Sequence, residues 1–207
     1  MIRILSSSWH GFPSFLRRCG AKPGRLLAGL ALAACAFLPE AALAQASNPV
    51  LFGKSDFEMD WTLQPGSKML RFRYHGATQR LRIDMLDGSE QTMHRDLAKG
   101  HIVVLVANGT KGAFAGKTAP IGAFQPEQIG EIRTIVGESC REFSAGGQTL
   151  CVTADGIPVM VDFGNGQGVA QRLLRETQPV ALFELPKGLK PKPLPGGAED
   201  SIPKGLF

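Results

Sequence analysis

Apolar and polar side chains alternate through residues 54–86. Phe57, Met59, Trp61 and Leu63 take turns with Glu58, Asp60 and Thr62. A period of two marks a strand with one face buried and the other wet. Pro65-Gly66 predicts a type II turn. Turning there sets Trp61 opposite Leu70, Met59 opposite Phe72 and Phe57 opposite Tyr74. The other face then sets Asp60 against Arg71 and Glu58 against Arg73. Both faces agree on one register, and a slip of one residue would turn every side chain over.

The same reading carries the chain onward. A reversal at Gly76-Ala77 places Leu81 opposite Phe72 and Ile83 opposite Leu70. Arg80 and Arg82 then fall beside Arg73 and Arg71, so the outer face reads acid, base, base across three strands. That is the pattern of a solvated face with surface ion pairs; the alternative is a site for an anion or a lipid headgroup. Asp87-Gly88 as a strict two-residue loop would set Thr92 opposite Ile83; a three-residue loop with Ser89, the preferred reading, sets Met93 there. After a turn at Leu97 to Gly100, His101 to Ala107 is a continuous apolar run, which predicts a strand buried on both faces. Asn108-Gly109 returns it into residues 110–117. The first 65 residues after position 53 thus predict a six-stranded meander. Residues 118–128 are a connection, with a helical turn opened by Pro126-Glu127.

A second meander runs from Glu131 to Val136, through Cys140, Cys151, Val159 to Val161 and Val169 to Thr177. Phe183-Glu184-Leu185 reads as a last short strand. Asp155-Gly156 and Asn165-Gly166 are hairpin turns, since both dipeptides tolerate the positive φ that such turns need. A tight reversal at Ala145-Gly146 places Cys140 directly opposite Cys151. These are the two cysteines outside the N-terminal segment, and an even pair in an exported chain predicts a disulfide.

Residues 1–44 read as an export leader. Arg17, Arg18, Lys22 and Arg25 precede the apolar run Leu26 to Leu38, which Pro39 breaks. The run is short for a membrane span. Ala42-Leu43-Ala44 then predicts signal-peptidase cleavage between Ala44 and Gln45. In the alternative, Leu32-Ala33-Ala34-Cys35 is a lipobox, and Cys35 becomes a lipidated N-terminus that anchors the protein to a membrane. The chain has 207 residues and a formal net charge of +5, and the leader carries most of that excess. Residues 45–207 are therefore close to neutral, which removes the electrostatic case for nucleic acid. Residues 45–53 read as a linker and residues 54–189 as one domain. Residues 190–207, rich in Pro, Gly and Lys, read as a tail that cannot bury a core.

Several stretches together resemble one family. They are Val136-Gly137-Glu138 to Cys140, the run Cys151-Val152-Thr153-Ala154-Asp155-Gly156-Ile157-Pro158, and the ending Ala181-Leu182-Phe183-Glu184-Leu185-Pro186-Lys187-Gly188. With the leader and the meander, this resembles uncharacterised exported bacterial proteins related to the lipoprotein-carrier (LolA/LolB-like) half-barrels. The resemblance implies a mostly-β fold, a curved antiparallel sheet forming an incomplete barrel with one or two short helices. It also implies a periplasmic protein that binds an apolar or acyl-chain ligand on its concave face. The residues facing inward would be Phe57, Met59, Trp61, Leu70, Phe72, Tyr74, Leu81, Ile83 and Met85. The rival expectation is an envelope structural or interaction protein with a filled core and a protein partner.

Enzymatic chemistry has little to stand on. His75, His94 and His101 would need to converge with a carboxylate such as Asp84 or Asp96 to hold a metal. Their spacing gives no reason for it, so neither metal nor cofactor is expected. Asp155 has a sufficient role as the first residue of its turn. Ser139 lacks a nucleophile elbow, and a disulfide would remove Cys140 and Cys151 as nucleophiles. Gly164, Gly166 and Gly168 are hairpin glycines with no following helix to cradle a phosphate.

Overall fold

The computed structural model describes residues 49–194. The leader, the Ala44–Gln45 junction, Cys35 and residues 195–207 lie outside the described residues.

Strands account for nearly all of the regular structure. They are β1 (Phe57–Gln64), β2 (Lys68–His75), β3 (Arg80–Met85), β4 (Thr92–Asp96), β5 (His101–Val106), β6 (Gly112–Lys117), β7 (Glu127–Ile135), β8 (Glu138–Ala145), β9 (Gln148–Thr153), β10 (Pro158–Asp162), β11 (Gln167–Leu174) and β12 (Lys192–Pro193). They form one 12-stranded sheet in the order β12-β6-β5-β4-β3-β2-β1-β11-β10-β9-β8-β7. The sheet is curved and does not close into a barrel. Two meanders meet at its centre, where β1 pairs antiparallel with β2 on one side and β11 on the other. Helical structure among the described residues is three short 3-10 turns, at Ala107–Gly109, Ile121–Ala123 and Val180–Phe183.

The first hairpin has the expected register. Trp61 pairs Leu70, Met59 pairs Phe72, Phe57 pairs Tyr74, Asp60 pairs Arg71 and Glu58 pairs Arg73. Its turn differs: the Gln64–Pro65 peptide is cis, with Gly66 and Ser67 both at positive φ. Ile83 pairs Met93, also as expected.

Other registers move by two residues. The β2–β3 turn takes in Thr78 and Gln79, so Phe72 pairs Ile83, Leu70 pairs Met85 and Tyr74 pairs Leu81. On the outer face Arg73 then lies beside Arg82, and Arg71 beside Asp84. Likewise the β8–β9 turn is Gly146-Gly147, so Ala145 pairs Gln148 and Glu142 pairs Cys151. Cys140 and Cys151 are therefore diagonal neighbours instead of direct partners. Their Cα atoms are still 5.3 Å apart, and the disulfide is formed.

Further expectations are corrected. Pro126-Glu127 opens β7, and the helical turn of that connection sits earlier, at Ile121–Ala123. In the segment Phe183-Glu184-Leu185, Phe183 ends a 3-10 turn and no strand forms. His101 is exposed and Val103, Val104 and Val106 are half-buried, so β5 is not buried on both faces. It is the third strand from the β12 edge of the sheet. Lys192–Pro193, inside the stretch read as a tail, lies parallel on β6.

The segment read as a linker forms part of the core. Leu51 and Phe52 are buried, and Phe52 stacks near Phe57 and Tyr74 with ring centroids 6.3 and 5.5 Å away. The Tyr74 hydroxyl donates to the carbonyls of Phe52 at 2.8 Å and Gly53 at 3.0 Å. Burial pushes the pKa of this phenol up to about 12. Two turns press on the same segment. A Cβ on Gly156 (φ +87) would stand 2.0 Å from the Val50 carbonyl, and one on Gly76 would stand 2.0 Å from that of Lys54. Both positions accept only glycine, because the contacts are to backbone.

Replacing both Cys140 and Cys151 by Ala is expected to lower the unfolding free energy by about 2–3 kcal/mol, the loop-entropy value for so short a loop. Urea unfolding of oxidised and variant protein at pH 7 checks it.

Candidate functional site

The nine inward-facing residues named from the sequence do share one face, but that face has two parts. Phe57, Met59, Tyr74 and Leu81 are fully buried beneath Leu51 and Phe52, so this end is filled by the protein itself. Trp61, Leu70, Phe72 and Ile83 are buried as well, and with the half-buried Met85 they stand around a cavity of about 690 Å³. Leu63, Met93, Val104 and Phe163 complete its apolar wall. The rest of the lining is uncharged: Pro65, Gly166 and the polar Gln64, Gln91, Thr92, Asn165 and Gln167, in or beside the β1–β2, β3–β4 and β10–β11 turns. Such a volume falls within the range of roughly 300–1,000 Å³ found for small-molecule sites.

Local sequence shapes this cavity. Alternation on β1, β2 and β3 sends Trp61, Phe72 and Ile83 to one side, and the Trp61 and Phe72 rings meet at 4.9 Å. On β11 the residue beneath Trp61 is Gly168. A Cβ there would stand 2.5 Å from two carbons of the indole. Glycine thus sets how deep the indole sits, a role that the reading of Gly168 as a hairpin glycine missed.

On the outer face the charges form a ladder across four strands. Arg71 donates to both carboxylate oxygens of Asp60, at 2.6 and 3.0 Å. Arg73 bridges Glu58 at 2.8 Å and Asp84 at 2.6 Å. Arg82 reaches Asp84 at 2.9 Å, and Thr92 donates to the same carboxylate at 2.9 Å. From β11, Arg172 adds a bond to Asp60 at 3.0 Å and another to Glu58. The expected order of acid, base, base becomes base, acid, base, acid, because Arg172 joins one side and Asp84 the other. With the carboxylates bonded internally, the ladder is built to hold strands together.

A second cluster ties the far meander. Arg175 donates to Glu138 at 2.8 and 2.9 Å and to Asp155 at 2.8 Å. Asp155 also accepts from the Thr153 hydroxyl at 2.5 Å. Its turn role stands, with an ion pair added that local sequence does not signal.

The three histidines do not converge. His75 Nδ1 lies 2.8 Å from the Thr78 hydroxyl, and its ring is 5.8 Å from that of Phe183. His94 and His101 line a separate cavity of about 500 Å³ with Arg80, Asp96 and Glu184. Burial, helped by nearby Arg82, pushes His94 down to about 4, so its ring is neutral at pH 7. Among the described residues no group of three His, Cys, Asp or Glu is placed to hold a metal ion.

No protein-family model matches the chain, and no curated protein does. Solved structures show distant likeness. One is PNGF-II, at 9% identity and a TM-score of 0.49, over 71% of this chain and 32% of that one. This chain thus spans about a third of PNGF-II. A second is an uncharacterized conserved protein from Thermus thermophilus, at 11% identity and a TM-score of 0.49, over 68% of this chain and 91% of that one. A third is MucB, at 12% identity and a TM-score of 0.43, over 70% of this chain and 64% of that one. All three likenesses are too distant to speak for function.

Two outcomes are expected. Gly168→Ala should displace the Trp61 indole and destabilise the fold by about 1–3 kcal/mol, as overpacked cores do; tryptophan emission and urea unfolding check it. Asp60 titrates below its ordinary value: burial alone would raise it, and the bonds from Arg71 and Arg172 outweigh burial. A carboxyl lowered in the folded state stabilises above its unfolded pKa, about 3.9, and stops doing so as pH falls through the folded value. Asp60→Asn should therefore cost about 2 kcal/mol at pH 7. The gap from the native protein should narrow below about pH 4, read by urea unfolding at both pH values.

Proposed function

We propose that this protein is an exported, non-enzymatic binder of an apolar or amphiphilic ligand, held in the open part of its inner sheet face. The observation that carries this reading is the cavity of about 690 Å³ walled by Trp61, Leu70, Phe72, Ile83 and Met85, with no charged residue in its lining among the described residues. An acyl chain partitions into such a space because burial removes its methylenes from water, at about 0.8 kcal/mol each. The fold supports the same reading, since a curved open sheet with one apolar face is the arrangement expected of the carrier half-barrels.

Export is part of the proposal. The Cys140–Cys151 bond supports it, because disulfides persist in oxidising compartments such as the periplasm. The leader with cleavage after Ala44 supports a soluble product; processing at Cys35 would leave a lipid-anchored one.

A second reading, an envelope interaction protein with a protein partner, draws on a different observation. β7 is an edge strand, and Ile129 and Ile132 on it are 53% and 61% exposed. Unpaired edges with exposed apolar residues are places where another chain can add. The two readings differ in whether the cavity takes a ligand.

Calorimetric titration with single-chain amphiphiles of increasing length separates them. Binding should tighten by about fourfold per added methylene until the cavity is full, then level off. Met85→Trp, which fills the cavity from its wall, should weaken binding at least tenfold. Affinity that is independent of chain length, or unchanged in Met85→Trp, would favour the interaction protein.

A further inference from the structure

The chemistry of the cavity's polar lining bears on what its ligand carries at the other end, if the apolar reading above holds. Four carboxamides, Gln64, Gln91, Asn165 and Gln167, belong to that lining. Among the described residues Lys, Arg, His, Asp and Glu are all missing from it, on a chain whose outer face is dense with ion pairs. The carboxamides lie at strand ends and in turns: Gln64 ends β1, Gln167 begins β11 as its Cα partner, Gln91 precedes β4, and Asn165 lies between β10 and β11.

Next to this mouth is a more open depression of about 560 Å³ with a mixed polar and apolar lining. It shares Gln64, Pro65, Gly166 and Gln167 with the apolar cavity and adds Ser67 and Asp162. The Asp162 carboxylate accepts a bond from the Gly164 amide at 2.7 Å and stays exposed. An apolar slot therefore opens directly beside a shelf that carries polar groups.

Each carboxamide carries two donors and an acceptor, and the serine hydroxyl does both. Hydroxyl groups need that mixture. A phosphate, sulfate or carboxylate head needs cationic donors to replace its water, and would also face Asp162. We infer that the site takes an amphiphile with one apolar chain and an uncharged, hydroxyl-rich head, with the chain in the cavity and the head on the Gln64/Gln167 shelf. A sugar and a glycerol are two sources of such a head.

The test uses Trp61, the one tryptophan after residue 44, as the reporter. The protein recovered from expression of the full chain is titrated with four twelve-carbon ligands below their micelle concentrations. They are dodecyl maltoside, monolauroylglycerol, dodecyl sulfate and dodecyltrimethylammonium. Both neutral ligands should bind at least tenfold tighter than dodecyl sulfate, and tighter than dodecyltrimethylammonium, whose head neither donates nor accepts hydrogen bonds and gains only the attraction of Asp162. Tighter binding of the maltoside names a sugar head, and tighter binding of the glyceride names a glycerol head. The double variant Gln64→Ala, Gln167→Ala should lose about tenfold for the neutral pair and leave dodecyl sulfate unchanged. Equal affinity for all four, or preference for a charged head, overturns the inference while leaving the apolar cavity as a binding site. Failure of every ligand to bind overturns that reading as well.

Discussion

Strict alternation along β1 is the constraint on which the rest depends. Phe57, Met59 and Trp61 must face one way, and then Glu58 and Asp60 must face the other. β1 is also the strand shared by the two meanders, so its alternation orients β2 and β11 at once. Inside, the large side chains pack against one another. Outside, each acid of β1 meets an arginine from β2 and one from β11. A slipped strand would bury the acids and expose the aromatic rings, so one register is favoured on both faces.

The inner face then divides along its length. At one end Leu51 and Phe52 fold back onto Phe57 and Tyr74, and the glycines at 76 and 156 let that segment lie against two turns. At the other end Trp61, Phe72 and Ile83 are buried too, but a cavity lies against them. Whether the face is filled or open has one answer at each end. With only 3-10 turns for helices among the described residues, the N-terminal segment does the covering at the first end.

The parts legible from the sequence were those in which one residue of slip changes the face. The first hairpin, the six-strand meander and the inward-facing row all rest on that parity. Slips of two residues leave parity intact, and there the reading failed. Leu70 faces Met85 instead of Ile83, and Cys140 sits diagonal to Cys151, yet every face assignment survives. Loop length sets these registers, and glycine turns of two or four residues carry similar composition. Pairings between distant positions were invisible for another reason. Arg172 with Asp60 and Arg175 with Glu138 join residues 112 and 37 apart, which no local pattern links. The cavity's extent was hidden likewise, because it depends on where residues 49–53 end their cover.

The central claim is that the open end of this face is occupied by an apolar chain in the protein's working state. Native mass spectrometry of the protein recovered from a periplasmic extract without detergent tests it directly. The account predicts a non-covalent excess of several hundred daltons that organic solvent releases as a lipid. It also predicts a polypeptide mass two hydrogens below the reduced value, from the Cys140–Cys151 bond. A bare polypeptide mass that stays bare after incubation with membrane lipids would contradict the claim.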